Sequence, residues 1–535
     1  MQEIWDAIKV AAFRKIVCCA ENVNAEPPCR LDCNSDMVCR TALAVRALAC
    51  SSVTGAQLKN ALILAKTRIA DSWGRPSFSI VAAVIGYVIC LFTPALLNDG
   101  DTYWHIATGQ WMLQTGSVPH ADPFSYTFAG APWVAHEWLS EVVMALAWKA
   151  AGWDGIMMLF GAATAVTFGV LAHYLARWLR QPAAVVVFIL GAACISGSLL
   201  ARPHMLALPI LVFWSTGLLR ARDKGEAPSP LLLPLMLVWA NLHGSFVFGL
   251  ALVVPLALEA WLEAKEDRTR IARAWGGFLA AATGMSLVAP NGWHGLLFPF
   301  QLMRMTQIGS IGEWSPTNFH ALEPLELALM ATLYIAFSRG VRLPTPRLVT
   351  LIALLHLALQ HSRHQMLAGV VGALLLAKPL GQTFGGNEPD CQGEPPSLRW
   401  AVVGLVCVVL LTTLRMAHPL VRTDDHVSPI TALDHVPPGI LNEPVLNSYE
   451  FGGYLIFRSI KPFIDGRADM YGDDFLADYN AVSAPNRAAF ERIVEKYGIR
   501  WALLSAHSPI LIVIDALPQW RRLYADGTAA VYVRD

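Results

Sequence analysis

The sequence predicts an all-α polytopic membrane domain of about eleven transmembrane helices, followed by a C-terminal extracytoplasmic α/β domain. Only 15% of the 535 residues are charged, against 55% hydrophobic. A soluble chain of this size carries about 25% charged residues, and the mean hydropathy here is +0.45. The deficit falls on residues 77–417, with near-normal charge on both sides. The basic residues of that middle region recur between its apolar segments. Net charge is zero, so no bulk field recruits nucleic acid, and no nucleic-acid partner is expected.

Residues 1–76 contain charges throughout and no apolar core of signal-peptide length. They hold Cys18, Cys19, Cys29, Cys33, Cys39 and Cys50, without a CxxC pair or an accompanying histidine. That spacing argues against a zinc site, and the head is expected to be a reduced, poorly ordered cytoplasmic segment.

Apolar segments at 78–97, 153–176, 183–200, 204–219, 229–241, 244–264, 274–290, 322–338, 348–361, 364–380 and 399–417 are the expected spans. The stretch 134–150, with Glu137, Glu141 and Lys149, is too charged for a span and predicts a half-inserted amphipathic helix within an outward first loop, 98–152. Arg68 and Arg75, Arg177 and Arg180, Arg220 and Arg222, Arg268 and Arg270, and Arg342 and Arg347 fall on one side if there are eleven spans. Positive charge marks the cytoplasm, so the N-terminus is expected inside and the C-terminus outside a bacterial inner membrane. Cys90, Cys194 and Cys407 fall in spans and Cys391 in an inside loop, consistent with an oxidising outer compartment. In the tail, 418–535, the runs VLNSY, YLIF, PFIDG, WALLS and AVYV alternate with a helical pattern over 485–497, the signature of a small α/β domain.

This topology gathers the ionisable residues on the outward face. The first loop carries Asp99, Asp101, His105, His120, Asp122, His136 and Glu137. Outward turns carry Arg202 and His204, Asn241 and His243, Asn291 and His294, Glu313 and Trp314, and His361, Arg363 and His364. Such residues at membrane depth are costly and mark functional sites. Asp99 and Asp101 can share a divalent cation, Mg or Mn, or divide the roles of base and orienting group. Arg202 and Arg363, with His364, are candidates for a donor phosphate. His105, His136, Glu137, His204, Asn241, His243 and Glu313 are candidates for substrate contacts, and the outward histidines leave a transition-metal site open. In the tail, Tyr454, Asp465, Arg467, Asp469 and Tyr471 are expected to face the cavity. The bland alternatives are an N-cap for the D-x-D pair, an aromatic belt for the tryptophans, a bulge or tight turn for Gly452 and Gly453, and a mutual ion pair for Asp465 and Arg467.

The strings DGDTYWHIATGQWMLQTGSVPHADPFSYTFAG, WVAHEWLSE, WANLHGSFVFG, EWSP and NSYEFGGYLIFRSIKPFIDGRADMYGDDFLADY resemble a bacterial branch of the GT-C membrane glycosyltransferases. That group includes protein O-mannosyltransferases, aminoarabinose transferases and oligosaccharyltransferase catalytic subunits. The resemblance spans residues 78–535. It implies a sugar donor linked to polyprenyl phosphate or diphosphate, an acceptor that is a lipid, glycan or protein, and membrane lipids as surroundings. By position it implies Asp101 as base, with Asp99 its partner, in an inverting transfer on the outward face. A transporter or flippase of a lipid-linked or anionic substrate, and a non-catalytic envelope-assembly subunit, are the rival classes. The sequence lacks the internal repeats and midplane acids of the former.

The orientation is testable directly. Reporter fusions after residues 130, 310 and 430 are expected outside, and fusions after 224, 268 and 342 inside. An inside reporter at 430 would put the tail and the first loop in different compartments.

Overall fold

A computed structural model describes residues 77–264, 267–384 and 398–535. The expectations for the cysteine-rich head and for Cys391 lie outside the described residues.

Every expected span coincides with a helix. α1 (Phe78–Phe92) leads into α2 (Gly100–Thr115) of the first loop and then α3 (Trp138–Trp178). There follow α4 (Ala183–Ala193), α5 (Pro203–Lys224), α6 (Leu233–Leu242), α7 (Phe246–Glu263) and α8 (Arg268–Ser286). α9 (Gly292–Leu302), α10 (Pro324–Arg339), α11 (Thr345–Gln360), α12 (Gln365–Thr383) and α13 (Leu398–Ala417) complete the membrane domain. Five stretches are long and apolar enough to cross a membrane: α3, α5, α7, Ser362–Thr383 (which contains α12) and α13. The chain is multi-pass on that ground. The count of eleven does not follow from helix length, because a helix such as α6 falls well short of the roughly 30 Å hydrocarbon core at about 1.5 Å per residue. The stretch 134–150 forms a helix distinct from the span that follows it. α3 is two helices joined at Ala151 and Gly152 (φ 56°), which leave helical geometry, and a Cβ on Gly155 would stand 2.1 Å from the Ala147 carbonyl oxygen.

α3 packs along α1, α2 and α5, over a core that buries Trp214, Trp239 and Trp275. α13 exposes Val402, Leu405, Val409 and Leu410, an apolar outer face suited to lipid. It is held by Tyr87 Oη to Thr412 Oγ1 (2.7 Å) and by Arg415 Nε donating to Asp154 Oδ1 (2.6 Å). At the C-terminal end of α5, Arg222 pairs with Glu259 of α7, and Arg347 of α11 donates to Glu259 Oε2 (2.8 Å). Asp223 takes Lys378 of α12 at 2.9 Å. The stretch from Arg202 to Arg222 spans about 30 Å, so two charged clusters cap opposite ends of one bilayer-length helix.

The tail contains α14 (Ile430–Asp434), β1 (Val445–Asn447), α15 (Gly452–Phe457), α16 (Ala468–Ser483), α17 (Arg487–Tyr497), β2 (Trp501–Ser505), α18 (Leu511–Asp515), β3 (Trp520–Ala525) and β4 (Ala529–Arg534). The sheet order is β1-β2-β4-β3, with β1 parallel to β2 and β4 antiparallel to both neighbours. VLN, WALLS and AVYV form strands as expected. YLIF instead forms α15, and PFIDG pairs with no strand. Gly452 and Gly453 make no bulge. They open α15 against α2, where a Cβ on Gly453 would stand 2.0 Å from the Gly100 carbonyl oxygen.

The tail is riveted to the first loop by Arg467, which is fully enclosed. Its guanidinium donates to Asp465 Oδ1 (2.7 Å), Asp465 Oδ2 (2.6 Å) and Asp122 Oδ1 (2.6 Å). Tyr471 Oη donates to Asp465 Oδ2 at 2.7 Å, and the guanidinium lies over Trp133, 4.8 Å from the ring centre. Asp465, Arg467 and Tyr471 therefore do not face a cavity. They are the mutual ion pair of the alternative reading, enlarged by Asp122.

Arg467→Ala strands two buried carboxylates and is expected to cost about 3–5 kcal/mol. Thermal unfolding in detergent and protease release of residues 418–535 measure it. A loss within about 0.5 kcal/mol would mean the rivet is dispensable.

Candidate functional site

The starts of α2, α5, α10 and α12 converge on one polar cavity of about 790 Å³, lined by Asp99, Gly100, Arg202, Glu323, Pro324 and Gln365 among others. Pro203 and Pro324 occupy first-turn positions of α5 and α10, where a missing N–H costs nothing. Converging helix N-termini present partial positive charge and unpaired N–H groups, a setting that favours anions.

Asp99 caps α2, its Oδ1 accepting the Asp101 N–H at 2.9 Å. That cap fixes Asp101 on the first turn. Arg202, at the N-cap of α5, reaches three carboxylates. It donates through Nη2 to Asp99 Oδ1 (2.9 Å) and through Nη1 to Glu313 Oε2 (2.6 Å), and its Nε pairs with Asp99 Oδ2. Asp101 Oδ2 lies 2.8 Å from Nη2. Glu313 Oε1 accepts from Arg363 Nη1 at 3.1 Å, and Arg363 lies 4.2 Å over the Trp314 ring. The other oxygen of Asp101 accepts from Trp104 Nε1 at 3.0 Å.

Burial pushes the Asp101 carboxyl up to about 7, with Asp99 and Glu313 adding to the rise and Arg202 opposing it. One guanidinium divided among three carboxylates cannot hold all of them down. Burial also opposes ionisation of Glu313, but Arg202 and Arg363 together hold it at about 2.

Behind Asp101 lies a small chamber of about 110 Å³, which includes His105, Glu137, His243 and Asp469. Glu137 is ringed by imidazoles: His243 Nε2 at 3.3 Å, His136 Nε2 at 3.6 Å and His105 Nε2 at 3.8 Å. Burial pushes Glu137 up to about 8 against the pull of Arg363 and Arg202, and burial lowers all three histidines. The chamber shares His136, Glu137, His204 and Arg363 with an apolar cavity of about 280 Å³ walled by Leu208, Leu211, Phe248, Phe298 and Leu367. The three spaces thus form one series, polar, then mixed, then apolar, with Asp101 between the first two and Glu137 between the last two.

Of the expected residues, Asp99, Asp101, Arg202, His204, Glu313 and Arg363 come together, with His105, His136, Glu137 and His243 one step deeper. His364 borders the apolar cavity, edge-on to Trp314 and Phe248. Asn241 is a latch away from this series: it accepts from Trp138 Nε1 (2.7 Å) and donates to the Leu237 and Val288 carbonyls (2.8 and 3.1 Å). Tyr454 is also displaced, buried edge-on against Tyr103 with its hydroxyl taken by Arg458 at 2.7 Å. Of the tail residues, Asp469 alone of the five expected lines the chamber. Sequence reasoning missed Trp104, although its position one helical turn after Asp101 puts both on one face. It also missed Gly466 and Tyr449, which reach the chamber from the tail.

Three carboxylates are a chemically suitable donor set for Mg or Mn. Here Arg202 and the Asp101 amide already occupy Asp99, and among the described residues no group of three His, Cys, Asp or Glu is spaced to hold an ion. The arrangement does not fit a shared cation, and Arg202 supplies the central positive charge. A transition metal on the histidines fits no better. Ser245 N–H donates to His243 Nδ1 (3.1 Å), which leaves the hydrogen of the neutral ring on Nε2, the atom facing Glu137.

No family model matches the sequence, and no curated protein does. Among solved structures, the chain is similar over 85% of its length to 74% of an archaeal oligosaccharyltransferase from Archaeoglobus fulgidus in complex with an inhibitory peptide and a dolichol-phosphate (TM-score 0.49, 11% identity). A second structure of that organism's oligosaccharyltransferase, tethered with an acceptor peptide, gives TM-score 0.48 and 12% identity, over 85% of this chain and 74% of that one. ArnT from Cupriavidus metallidurans bound to undecaprenyl phosphate matches 85% of this chain and 97% of its own at 12% identity, with TM-score 0.32. Nothing in the chemistry of the site follows from these likenesses.

Gly466 has a testable consequence, since a Cβ there would fall 1.7 Å from Asp101 Oδ1. Gly466→Ala is expected to cost about 1–3 kcal/mol, and part of that loss should return in the double variant with Asp101→Ala. Thermal unfolding of the four proteins closes the cycle, and strictly additive losses would remove the contact.

Proposed function

We propose that the protein is an inverting membrane glycosyltransferase that takes a sugar from a polyprenyl-linked phosphate donor and passes it to an acceptor on the outward face of the inner membrane. The observation that carries this reading is the position of Asp101 at the junction of a polar cavity and a chamber that opens into an apolar one. A lipid-linked sugar needs that sequence of environments: an apolar wall for the isoprenoid, cationic groups for the phosphate, and a base where the sugar meets the acceptor. The sequence resemblance to the GT-C enzymes supports the same reading.

In this mechanism the isoprenoid lies along the wall formed by Leu208, Leu211 and Phe248, and the acceptor enters the polar cavity. Asp101 removes the proton from the acceptor hydroxyl or amine. The acceptor attacks the anomeric carbon, the bond from that carbon to the phosphate oxygen breaks, and its electron pair leaves with the lipid phosphate. Arg202, Arg363 and the helix N-termini stabilise the charge that develops there. Asp99 is a positioning residue: it caps α2 under Asp101 and fixes Arg202. Arg363, stacked on Trp314, is the more available of the two guanidiniums, since its carboxylate partner Glu313 is already shared with Arg202.

Asp101→Asn keeps the shape and the Trp104 contact but removes the base. Transfer is expected to fall by about 10²–10⁴-fold with protein abundance unchanged. Wild-type activity should also fall as pH drops through about 7, because a carboxyl raised to that value is an ionised base only above it. Transfer in membranes from a lipid-linked donor, followed across pH, measures both, and full activity in Asp101→Asn would end this assignment.

A further inference from the structure

Glu137 plays no part in the steps above, yet it stands where the apolar cavity meets the polar chamber. Its neighbours determine its proton. His136 Nδ1 lies 3.3 Å from the Val134 carbonyl oxygen, so the hydrogen of the neutral ring sits on Nδ1. His136 Nε2 then turns a lone pair toward Glu137 Oε1, at 3.6 Å. His243, with its hydrogen on Nε2, has that nitrogen 3.3 Å from the same oxygen. A carboxyl pushed up to about 8 by burial keeps its proton near neutrality, and the bare His136 Nε2 lies 3.6 Å from it, near enough for the two groups to titrate as a pair. The third imidazole, His105, is held from behind by Glu141 (3.2 Å). Asp101, Arg202, His204, Glu313, Arg363 and Asp469 are the other charged or imidazole groups around the chamber.

The charge count points the same way. Arg202 and Arg363 are the Lys or Arg side chains among the described residues lining the three cavities. They already face Asp99, Asp101 and Glu313. One phosphodiester charge can be met by Arg363 and a neutral acid. A diphosphate brings a second charge, for which no guanidinium remains.

We infer that the donor carries a single phosphate, seated between Arg363 and the Glu137–His136 pair, and that this pair gives its proton to the departing phosphate oxygen. The inference rests on the glycosyltransferase reading and narrows its donor. The acceptor oxygen or nitrogen bonds to the anomeric carbon, and the acceptor proton goes to Asp101. The carbon–oxygen bond to phosphate breaks with its electrons on oxygen, which takes the Glu137–His136 proton. Transfer of the Asp101 proton back through solvent restores the pair, so no further reactant is needed. A monoester phosphate is a poorer leaving group than a diphosphate, and that is the case in which a general acid matters.

The test uses the full chain in detergent with undecaprenyl phosphate and undecaprenyl diphosphate as probes, each with chelator and with added Mg, from pH 6 to 9. The monophosphate is expected to bind at least about tenfold tighter in both conditions. Its affinity should fall as pH rises through about 8, and that fall should be absent in Glu137→Gln. Tighter binding of the diphosphate, with or without Mg, overturns the inference, as does an identical pH curve in Glu137→Gln. The comparison of the two lipids needs only the wild type, so a poorly folded variant does not remove the test. Wild-type transfer that requires a diphosphate donor would overturn this inference and leave the parent reading standing. Transfer from neither class of donor would remove both.

Discussion

The buried guanidinium of Arg467 is the constraint on which the site depends. It joins Asp465 of the tail to Asp122 of the first loop, with both carboxylates fully enclosed. Asp122 also accepts the Phe124 and Ser125 N–H groups at 2.9 and 3.0 Å, so the loop is organised around the same ion pair. Gly466 lies between the two anchoring residues and is thereby pressed onto Asp101. Buried ion pairs add little net stability, because desolvation cancels most of the attraction, but a single partner left alone is very costly. What the pair fixes is registry: it joins the tail to the first loop on either side of Gly466, which then closes the chamber over Asp101.

Arg202 does for the cavity what Arg467 does for the docking. Both are arginines with more than one carboxylate, but Arg467 is sealed and Arg202 keeps 18% of its side chain exposed. Sealing suits a rivet, and partial access suits the substrate contact proposed for Arg202. Arg202 also stands at a helix N-terminus, where a cation opposes the dipole. The surrounding carboxylates offset that opposition, and they leave Asp101 under-compensated. Burial first, and that crowding second, raise the Asp101 carboxyl toward neutrality.

Much of this was legible in the sequence. The apolar segments, the polar first loop and three of the four tail strands follow from periodicity and composition. The outward residues on helix starts, Asp101, Arg202, Glu313 and Arg363, were identifiable because an ionisable residue at an apolar boundary is costly. The failures share a cause. YLIF is a four-residue apolar run, too short for its period to separate strand from helix, and the two glycines before it serve a close approach that only the docked α2 reveals. Asp465 and Arg467 carry the composition of a site and the burial of a core, and sequence cannot distinguish these without knowing what covers them. Asn241 sits at a helix end among polar neighbours like the site residues, but its partners Trp138 and Val288 are distant in sequence.

The order of the cavities resolves why so many histidines gather beside so few cations. A chamber between an apolar wall and a polar cleft cannot hold many net charges, because each would lose its hydration. Burial keeps His105, His136 and His243 neutral, so they supply hydrogen-bond donors and acceptors without charge. Lysine or arginine at those positions would attract an anion more strongly, but each would add a permanent charge to be desolvated. In the proposed transfer, neutral rings around a protonated carboxyl would hold the phosphate through hydrogen bonds that weaken once its proton has moved. The site therefore confines its permanent positive charge to two guanidiniums with carboxylate partners, and the rest of its polarity is adjustable by one proton.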